Sequence, residues 1–320
     1  MSTRRISIDA QSGDFGAKVI IRGVIEAQCC AAYPFIAHLC GDSGEICRVL
    51  DELEGEFSFD RSKYIVEHCT EKISSLENRS RVWRTHSNSS IIRCITLQKE
   101  RVVDASVSAG DSGILIGAAQ FLLGRSENVK RPALAALIPT AGKKPVLLLD
   151  VGANLNCRAE HLVSFASMGS SYMKRLFDLK APAVSLLNIG KESSKGPVCI
   201  QDAAKILLQH RSVNYEGYIE GNRVLSGDAD VVVCDGFSGN VLLKASESFY
   251  SLTASVLKQD PELLGKLVRK MEALNPENYG AVPFLGIKGT VLKAHGGSSS
   301  QAFRNAVLTA LKTVESDNAH

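Results

Sequence analysis

The sequence of 320 residues has little net charge, few aromatic residues and no long hydrophobic run. Its formal net charge is +3, and aromatic residues make up 6% of the chain. Because no basic run is interleaved with aromatic residues, we predict that the protein does not bind nucleic acid. The longest apolar stretch, Gly113–Gly124, is too short to span a bilayer. With 45% hydrophobic and 22% charged residues, the composition is that of an ordinary globular protein.

The nine cysteines follow no spacing that is typical of disulfides or metal sites. Cys29 and Cys30 are adjacent, and no C-x-x-C motif occurs. Cys234 lies in an apolar run, where a free thiol behaves as a small hydrophobe. The N-terminal sequence MSTRRISIDA has no apolar core, so we expect no signal peptide. Reduced cysteines without such a signal predict a cytoplasmic protein.

Signatures of common cofactor, metal and nucleophile sites are also missing. Neither G-x-G-x-x-G nor a Walker P-loop occurs, and neither does H-E-x-x-H. The tetrapeptide GDSG occurs at Gly41–Gly44 and Gly110–Gly113, but neither copy lies in the all-β context of a serine protease. We recognise no Ser–His–Asp or Cys–His arrangement. We therefore predict no cofactor and no metal ion.

One pattern recurs along the chain and indicates the fold class. Short apolar runs end in small or polar residues, and a segment with helical character follows. Near-continuous apolar strands separated by helices are typical of a parallel sheet covered on both faces. We therefore predict a three-layer α/β/α sandwich with a mostly parallel sheet, as a single domain over residues 1–320 with a flexible tail at 315–320. The runs begin at Ile6, Val102, Val146, Ala183, Val231 and Thr290, and looser ones begin at Pro34 and Tyr64. The intervening helices are predicted at Val19–Cys30, Ile114–Leu123, Glu160–Leu176, Gln201–His210 and Asn240–Leu257.

The loops that follow these runs are rich in Gly, Ser, Asn and Asp. In parallel sheets, ligands bind at the edge where the strands have their carboxyl ends. We therefore expect the six loops to form one crevice. His295–Ser300 is the best candidate for binding an oxyanion and Ser108–Gly113 is the second, because both precede a helix and offer backbone N–H groups. The alternative for either loop is a turn with a helix cap.

Three further loops carry polar side chains that suit an oxyanion. Asn188–Gly196 holds Lys191 and Lys195, which can neutralise a phosphate or a developing oxyanion. Asp150–Cys157 and Asp235–Asn240 each pair an acid with an amide. The alternatives are a solvated charge for the lysines and helix capping for the acids and amides.

With these loops in place, the chain resembles the PlsX family of bacterial phosphate acyltransferases. The resemblance runs from about Ile6 to Ala310 and rests on the order of several motifs. It implies transfer of a fatty acyl group from acyl carrier protein to inorganic phosphate, which gives acyl phosphate for phospholipid synthesis. It also implies a fold similar to the isocitrate and isopropylmalate dehydrogenases and the phosphotransacetylases, and a homodimer at the membrane surface, peripheral to the inner face of the cytoplasmic membrane. The motifs include DAQSGD, SAGDSG, RPALAALIPT, LLLDVGANLNC, FASMGSSY, SLLNIGKESSKG, DVVVCDGFSGNVLLKASES and FLGIKGTVLKAHGGSSSQAFRNA.

The resemblance also implies the site residues. Lys195, Asn240 and Asp235 are the catalytic candidates, and we hypothesise that Lys195 and Asn240 stabilise the oxyanion formed when phosphate attacks the thioester. The residues expected to bind substrate are Asp9, Gly13, Asp14, Ser108, Gly110, Gly113, Asn154, Asn188, Gly239, His295, Gly296 and Ser298.

Residues 258–276 are predicted to form an amphipathic helical segment. Asp260 is a possible N-cap, and Pro261 suits the first helical position. The segment fits a role at the membrane surface or in a dimer, and the alternative is a surface helix whose stripe packs in the core. The apolar stripe comprises Leu264, Leu267, Val268, Met271 and Leu274.

Three motifs depart from the usual family pattern. The chain has DAQSGD at Asp9–Asp14 where the family has DAMGGD, and SAGDSGI at Ser108–Ile114 where the family has SAGNTGA. It has HSNSS at His86–Ser90 where the family has KKxSS, and loss of the two lysines would weaken binding of an anion or a carrier. The alternative functions are a phosphate acyltransferase that uses short-chain acyl-CoA, a decarboxylating dehydrogenase, and a homologue without turnover that binds carrier protein or membrane.

Overall fold

The computed structural model describes residues 3–73, 82–142, 144–260, 262–263, 265 and 280–318. The chain divides into two compact units, the first formed by Met1–Ser126 with Glu277–His320 and the second by Glu127–Pro276. The strands are β1 Arg4–Asp9, β2 Phe35–Gly41, β3 Tyr64–His68, β4 Ala105–Ser108, β5 Ala133–Ile138, β6 Val146–Leu149, β7 Ala183–Leu187, β8 Asn214–Ile219, β9 Val231–Val233, β10 Ala281–Leu285 and β11 Thr290–Ala294. The α-helices are α1 Gly16–Cys30, α2 Ser43–Glu54, α3 Val82–Thr85, α4 Ser90–Lys99, α5 Ser112–Leu122, α6 Ala159–Phe177, α7 Val198–Leu207, α8 Gly236–Val256 and α9 Ser300–Asn318.

The strands of the first unit follow the order β3-β2-β1-β4-β11-β10. All neighbours in this sheet are parallel except β10, which runs antiparallel to β11. From β1 the chain proceeds outward through β2 and β3, and then returns to place β4 on the other side of β1. Loops of a parallel sheet diverge at such a reversal and leave room for a ligand.

The first unit is stabilised by burial of apolar side chains on the face of β1 that packs against α1 and α9. Ile6 and Ile8 are fully buried, and so are Ile21 on α1 and Phe303 on α9. Helices α1 and α9 approach closely at Gly23, where an added Cβ would lie 2.6 Å from the carbonyl oxygen of Ser300. Each such large side chain stabilises the fold by roughly 1.5–3 kcal/mol through its removal from water.

The strands of the second unit follow the order β5-β6-β9-β7-β8. Strands β6, β9, β7 and β8 are parallel, and β5 runs antiparallel to β6. The prediction of an α/β fold with a mostly parallel sheet is confirmed. All eight predicted apolar runs contain strands, and the five predicted helices occur with ends within a few residues of those expected.

Parts of the amphipathic segment lie outside the described residues. The whole apolar stripe lies outside the described residues, so its role stays a prediction. The stripe comprises Leu264, Leu267, Val268, Met271 and Leu274. Helix α9 continues to Asn318. Within the described ranges, no helix is both long and apolar enough to cross a membrane.

Candidate functional site

The structure assembles the predicted loops in two groups of three. In the first unit, the loops after β1, β4 and β11 leave the same sheet edge, because these three strands are adjacent and parallel. In the second unit, the loops after β6, β9 and β7 do so for the same reason. That all six form one crevice stays a prediction.

Asp9 connects the loops after β1 and β4. It is fully buried at the end of β1, and its Oδ2 accepts a hydrogen bond from the hydroxyl of Ser108 at 2.6 Å. Its Oδ1 accepts from the backbone N–H groups of Gln11 and Ser12 at 3.3 and 3.2 Å. Ser108 in turn accepts from the N–H of Gly110 at 3.0 Å. The buried side chains of Asp9 and Ser108 therefore join the loops after β1 and β4 by hydrogen bonds.

The N-terminus of α5 is capped by Asp111. The carboxylate accepts hydrogen bonds from the N–H groups of Gly113 and Ile114 at 2.9 and 3.0 Å. These are amides that an oxyanion at Ser108–Gly113 would use. In this structure these two amides are therefore used by a helix cap, which is the alternative stated for this loop.

The loop after β11 is folded around His295. Its Nδ1 accepts from the N–H of Gly297 at 3.1 Å, and its carbonyl accepts from the hydroxyl of Ser298 at 2.7 Å. The N–H of Asp14 donates to the carbonyl of Gly296 at 2.9 Å. A Cβ on Gly296 would lie 3.3 Å from the Asp14 carboxylate, so the predicted residues of these two loops are in contact.

The loops after β1 and β4 border a cleft of about 450 Å³ in the first unit. Its walls are residues 11–14, 71–73, 89–91 and 109–111, and Ile114 completes the lining. The three motifs that depart from the family pattern all contribute to this wall. Gly13, which lines the cleft in the loop after β1, has a positive φ of +123°.

In the second unit, Asp150 organises the loop after β6. It is fully buried, and its carboxylate accepts five hydrogen bonds. Burial raises the pKa of the Asp150 carboxyl, and hydrogen bonds from Ala153 and Asn154 oppose that rise. In the sequence, Asp150 is the acid that its loop pairs with an amide, but it is not among the expected site residues. The donors are the N–H groups of Leu134, Gly152, Ala153 and Asn154 and the side-chain amide of Asn154, at 2.7–3.1 Å.

Asn154 is buried and holds the same loop. Its Nδ2 donates to the Asp150 carboxylate and to the carbonyl of Pro132, both at 2.8 Å. Both amide hydrogens are thus used within the protein. The main-chain carbonyl of Asn154 also accepts a hydrogen bond from the N–H of Gly236 at 2.7 Å. Asn154 therefore contributes to the site by fixing the backbone of the loop after β6.

The turn between β9 and α8 needs both of its glycines. A Cβ on Gly236 would lie 2.8 Å from the carbonyl of Asn154, and a Cβ on Gly239 would lie 1.9 Å from the carbonyl of Asp150. Asp235 caps α8 by accepting from the N–H groups of Phe237 and Ser238 at 3.0 and 2.9 Å. These contacts fix the first turn of α8 against the end of β6.

Asn240 is exposed in that first turn. Its Nδ2 donates to the carbonyl of Val151 at 3.1 Å, which orients the amide. Cys234, just before the turn, is buried, and burial raises the pKa of its thiol well above the usual value. The interpretation of Cys234 as inert packing agrees with both observations.

Residues 189–196 form the loop after β7, which we call the lysine loop. Asn188 is buried at its start, and its Nδ2 donates to the carbonyls of Gly190 and Lys195 at 3.2 and 3.1 Å. Its Oδ1 is also buried and has no hydrogen-bond donor among the described residues. Gln201 donates to the carbonyl of Gly196 at 3.0 Å. The ammonium of Lys195 is thus carried by a loop with a fixed backbone, and its side chain is exposed.

Lys195 lies in the loop after β7, and Asn240 lies in the first turn of the helix that follows the neighbouring strand β9. Leu186 of β7 pairs with Val233 of β9, so both loops leave the sheet at the same level. This edge of the second unit presents an ammonium and an oriented amide, two groups that stabilise an oxyanion.

Comparison with known proteins identifies the family. A family described as fatty acid synthesis protein matches residues 4–320. A phosphate acyltransferase from Campylobacter concisus is 39% identical over 324 residues, which cover 98% of this chain and 95% of that protein. Another from Dictyoglomus thermophilum is 35% identical and covers 97% of this chain and 94% of that protein. The chain belongs to the phosphate acyltransferase family. The resemblance stated from the motifs is confirmed, and so is the prediction of an acyltransferase.

Solved structures of more distant proteins share the fold of this phosphate acyltransferase family member. A phosphotransacetylase from Streptococcus pyogenes superimposes with a TM-score of 0.66 at 15% identity and covers 98% of this chain and 94% of that one. A 4-hydroxythreonine-4-phosphate dehydrogenase from Klebsiella pneumoniae gives a TM-score of 0.57 at 14% identity, with 98% of each chain covered. At these identities the likeness concerns the fold alone.

Proposed function

We propose that the protein transfers a fatty acyl group from acyl carrier protein to inorganic phosphate and so forms acyl phosphate for phospholipid synthesis. The observation that carries this proposal is the edge of the second unit, where Lys195 lies in the loop after β7 and Asn240 lies in the first turn of the helix after the neighbouring strand β9. Membership of the phosphate acyltransferase family supports the reaction class.

In the proposed reaction, phosphate itself is the nucleophile. A phosphate oxygen attacks the thioester carbonyl carbon, the new C–O bond forms, and the C–S bond breaks. The proton of hydrogen phosphate passes to the departing sulfur, so the products are acyl phosphate and a free thiol. No protein nucleophile is required, in keeping with the burial of the Cys234 thiol.

The tetrahedral intermediate carries a negative oxygen, and the two candidate residues would stabilise it. The Lys195 ammonium supplies the charge. The Asn240 amide has two N–H groups, and one of them donates to the carbonyl of Val151 at 3.1 Å. The other would donate to the oxyanion, from a position that needs no reorganisation during the reaction. Asp235 acts through positioning, because it caps the helix on which Asn240 lies.

The proposal is tested by incubating the protein with acyl carrier protein thioesters or acyl-CoA, with and without phosphate. Acyl phosphate is captured with hydroxylamine and measured. We expect phosphate-dependent product with the carrier-bound donor. Preferential use of short-chain acyl-CoA would favour the alternative enzyme, and no product from any donor would contradict the proposal and favour a binding protein without turnover.

We also propose that the protein is a cytoplasmic homodimer that binds the membrane surface peripherally. Helix α8 supports this proposal because Phe249, Leu252 and Val256 are 65%, 62% and 69% exposed and recur at helical spacing. Light scattering and co-sedimentation with anionic liposomes test the two parts. A Leu252→Glu, Val256→Glu variant that keeps the dimer and the liposome binding of the wild type would contradict a role for this helix.

A further inference from the structure

The described side chains that line the cleft of the first unit carry the wrong charge for inorganic phosphate. Among the described residues that line it, carboxylates come from Asp14, Glu71 and Asp111, and an ammonium comes from Lys72 alone. The nearby Lys293 does not line the cleft, and its ammonium donates to the carbonyls of Ala109 and Ala294. An anion entering here would meet more like charge than opposite charge, which disfavours binding.

Backbone amides do not reverse this charge. Asp111 occupies the N–H groups of Gly113 and Ile114 at the start of α5. Asp9 occupies those of Gln11 and Ser12 at the end of β1. Four N–H groups of the kind that attract a phosphate to such a sheet edge are therefore bonded to carboxylates of the protein.

The rest of the lining suits an uncharged ligand with both polar and apolar parts. Ile73, Ile91 and Ile114 contribute apolar surface, and Ser12 and Gln11 contribute half-buried polar groups. The volume of about 450 Å³ lies within the range of small-molecule sites. Glu71 is fixed at the wall, because its Oε2 accepts from the N–H of Asn88 at 2.7 Å.

We infer that this cleft of the first unit binds the pantetheine arm of the acyl donor and not inorganic phosphate. A pantetheine arm is uncharged and carries amides and a hydroxyl beside a dimethyl group. Its amide N–H groups would donate to the carboxylates, and its methyl groups would contact the isoleucines. Exposed Lys72 would face the single phosphodiester at the base of the arm. This inference rests on the proposed function.

A variant that fills the cleft tests the inference through separate KM values for the two substrates. Ser12→Phe places a phenyl ring in the cleft, and Ser212→Phe, on an exposed position of the second unit, is the matched control. We expect Ser12→Phe to raise the KM for the acyl donor about tenfold or more and to leave the KM for phosphate within about twofold. A raised KM for phosphate with an unchanged KM for the donor would overturn the inference.

Two further measurements do not depend on how well Ser12→Phe folds. Calorimetric titration of the wild type with pantetheine alone should give binding, and no binding to the wild type would overturn the inference. Asp14→Asn should leave the KM for phosphate within about twofold, whereas a phosphate site in the cleft would tighten when a carboxylate is removed. If the wild type makes no acyl phosphate from any donor, the proposed function fails, and the titration still decides what the cleft binds.

Discussion

The side-chain amide of Asn188 donates to the main-chain carbonyl of Lys195 at 3.1 Å and thereby joins the far end of the lysine loop to the end of β7. The same amide donates to the carbonyl of Gly190 at 3.2 Å. A Cβ on Gly196, where φ is +84°, would lie 1.9 Å from Asn188 Oδ1, so the loop closes tightly over this side chain. The position of the Lys195 ammonium therefore depends on a buried residue seven positions earlier.

Replacement of Asn188 by alanine should lower activity more than it lowers stability. Loss of the hydrogen bonds to the buried carbonyl of Gly190 and the partly buried carbonyl of Lys195 costs roughly 1–3 kcal/mol of unfolding free energy. We expect kcat to fall about tenfold or more at a temperature where the variant is fully folded, because Lys195 loses its position. Asn214→Ala is the control, since Asn214 is exposed and donates to the carbonyl of Ala181 at 3.4 Å. Equal kcat values for both variants would contradict the positioning role.

Replacement of Lys195 by alanine tests the proposed oxyanion contact directly. Because the side chain is exposed, its removal leaves no buried group unsatisfied, and the melting temperature should stay close to that of the wild type. We expect kcat to fall roughly 100- to 1,000-fold, as it does when one oxyanion donor is removed from other enzymes. Lys191→Ala, an exposed lysine in the same loop, is the matched control and should retain activity within about threefold. A similar loss in both variants would indicate a general effect of loop charge.

Replacement of Cys234 by alanine separates attack by phosphate from attack by a protein thiol. A buried thiol with a raised pKa is a poor nucleophile, so the variant should keep activity within about threefold. Mass spectrometry of the wild type incubated with acyl donor should show no acyl adduct on Cys234. A loss of activity of about 100-fold or more, together with such an adduct, would contradict the proposed mechanism. Cys29→Ala, at an exposed thiol, controls for a general effect of cysteine removal.

The sequence predicts eight strands from runs that end in small or polar residues and precede a helical segment, and it does not predict β5, β8 and β10. Strand β5 is apolar throughout, but the next element among the described residues is β6 and not a helix. In β8, only Ile219 is buried, and Gly217 with a φ of +95° interrupts the strand. Strand β10 contains Pro283, which argues against a strand in most contexts. The antiparallel direction of β5 and β10 depends on long-range pairing, and no local pattern records it.

The candidate site was predictable as a set of loops, and the roles of its residues were not. Polar residues after apolar runs indicated loops that the structure places at common sheet edges, and the roles of Lys195 and Asn240 stay a prediction. Helix capping by Asp111 and Asp235 was one of two interpretations of these loops, and the sequence alone did not decide between capping and oxyanion binding, because capping depends on backbone geometry. The carboxylate of Asp150 receives one of its hydrogen bonds from Leu134, a residue 16 positions earlier on an antiparallel strand. Contacts of this kind appear only once the strands are paired.

The last prediction concerns how the stability of the protein depends on pH through the ion pair between Glu67 on β3 and Arg93 on α4. Glu67 accepts from Arg93 at 2.8 Å and contacts His38 Nδ1 at 3.0 Å, with 18% of its side chain exposed. Burial alone would raise the pKa of Glu67, but the hydrogen bonds from Arg93 and His38 outweigh it and lower the pKa below 4.5. A carboxylate with a lowered pKa stabilises the folded state above its unfolded pKa, and this stabilisation is lost as the pH falls through the folded value.

Glu67→Gln should therefore destabilise the protein by roughly 1–3 kcal/mol near neutral pH, since it removes the charged partner of Arg93. The difference from wild type should shrink below about pH 4.5, where the wild-type carboxylate also becomes protonated. Urea unfolding of both proteins at several pH values measures the difference. Glu54→Gln serves as control, because Glu54 is an exposed partner of Arg61 and such pairs contribute little. A Glu67→Gln difference that is constant across the acidic range would show that the ion pair does not set the pH dependence.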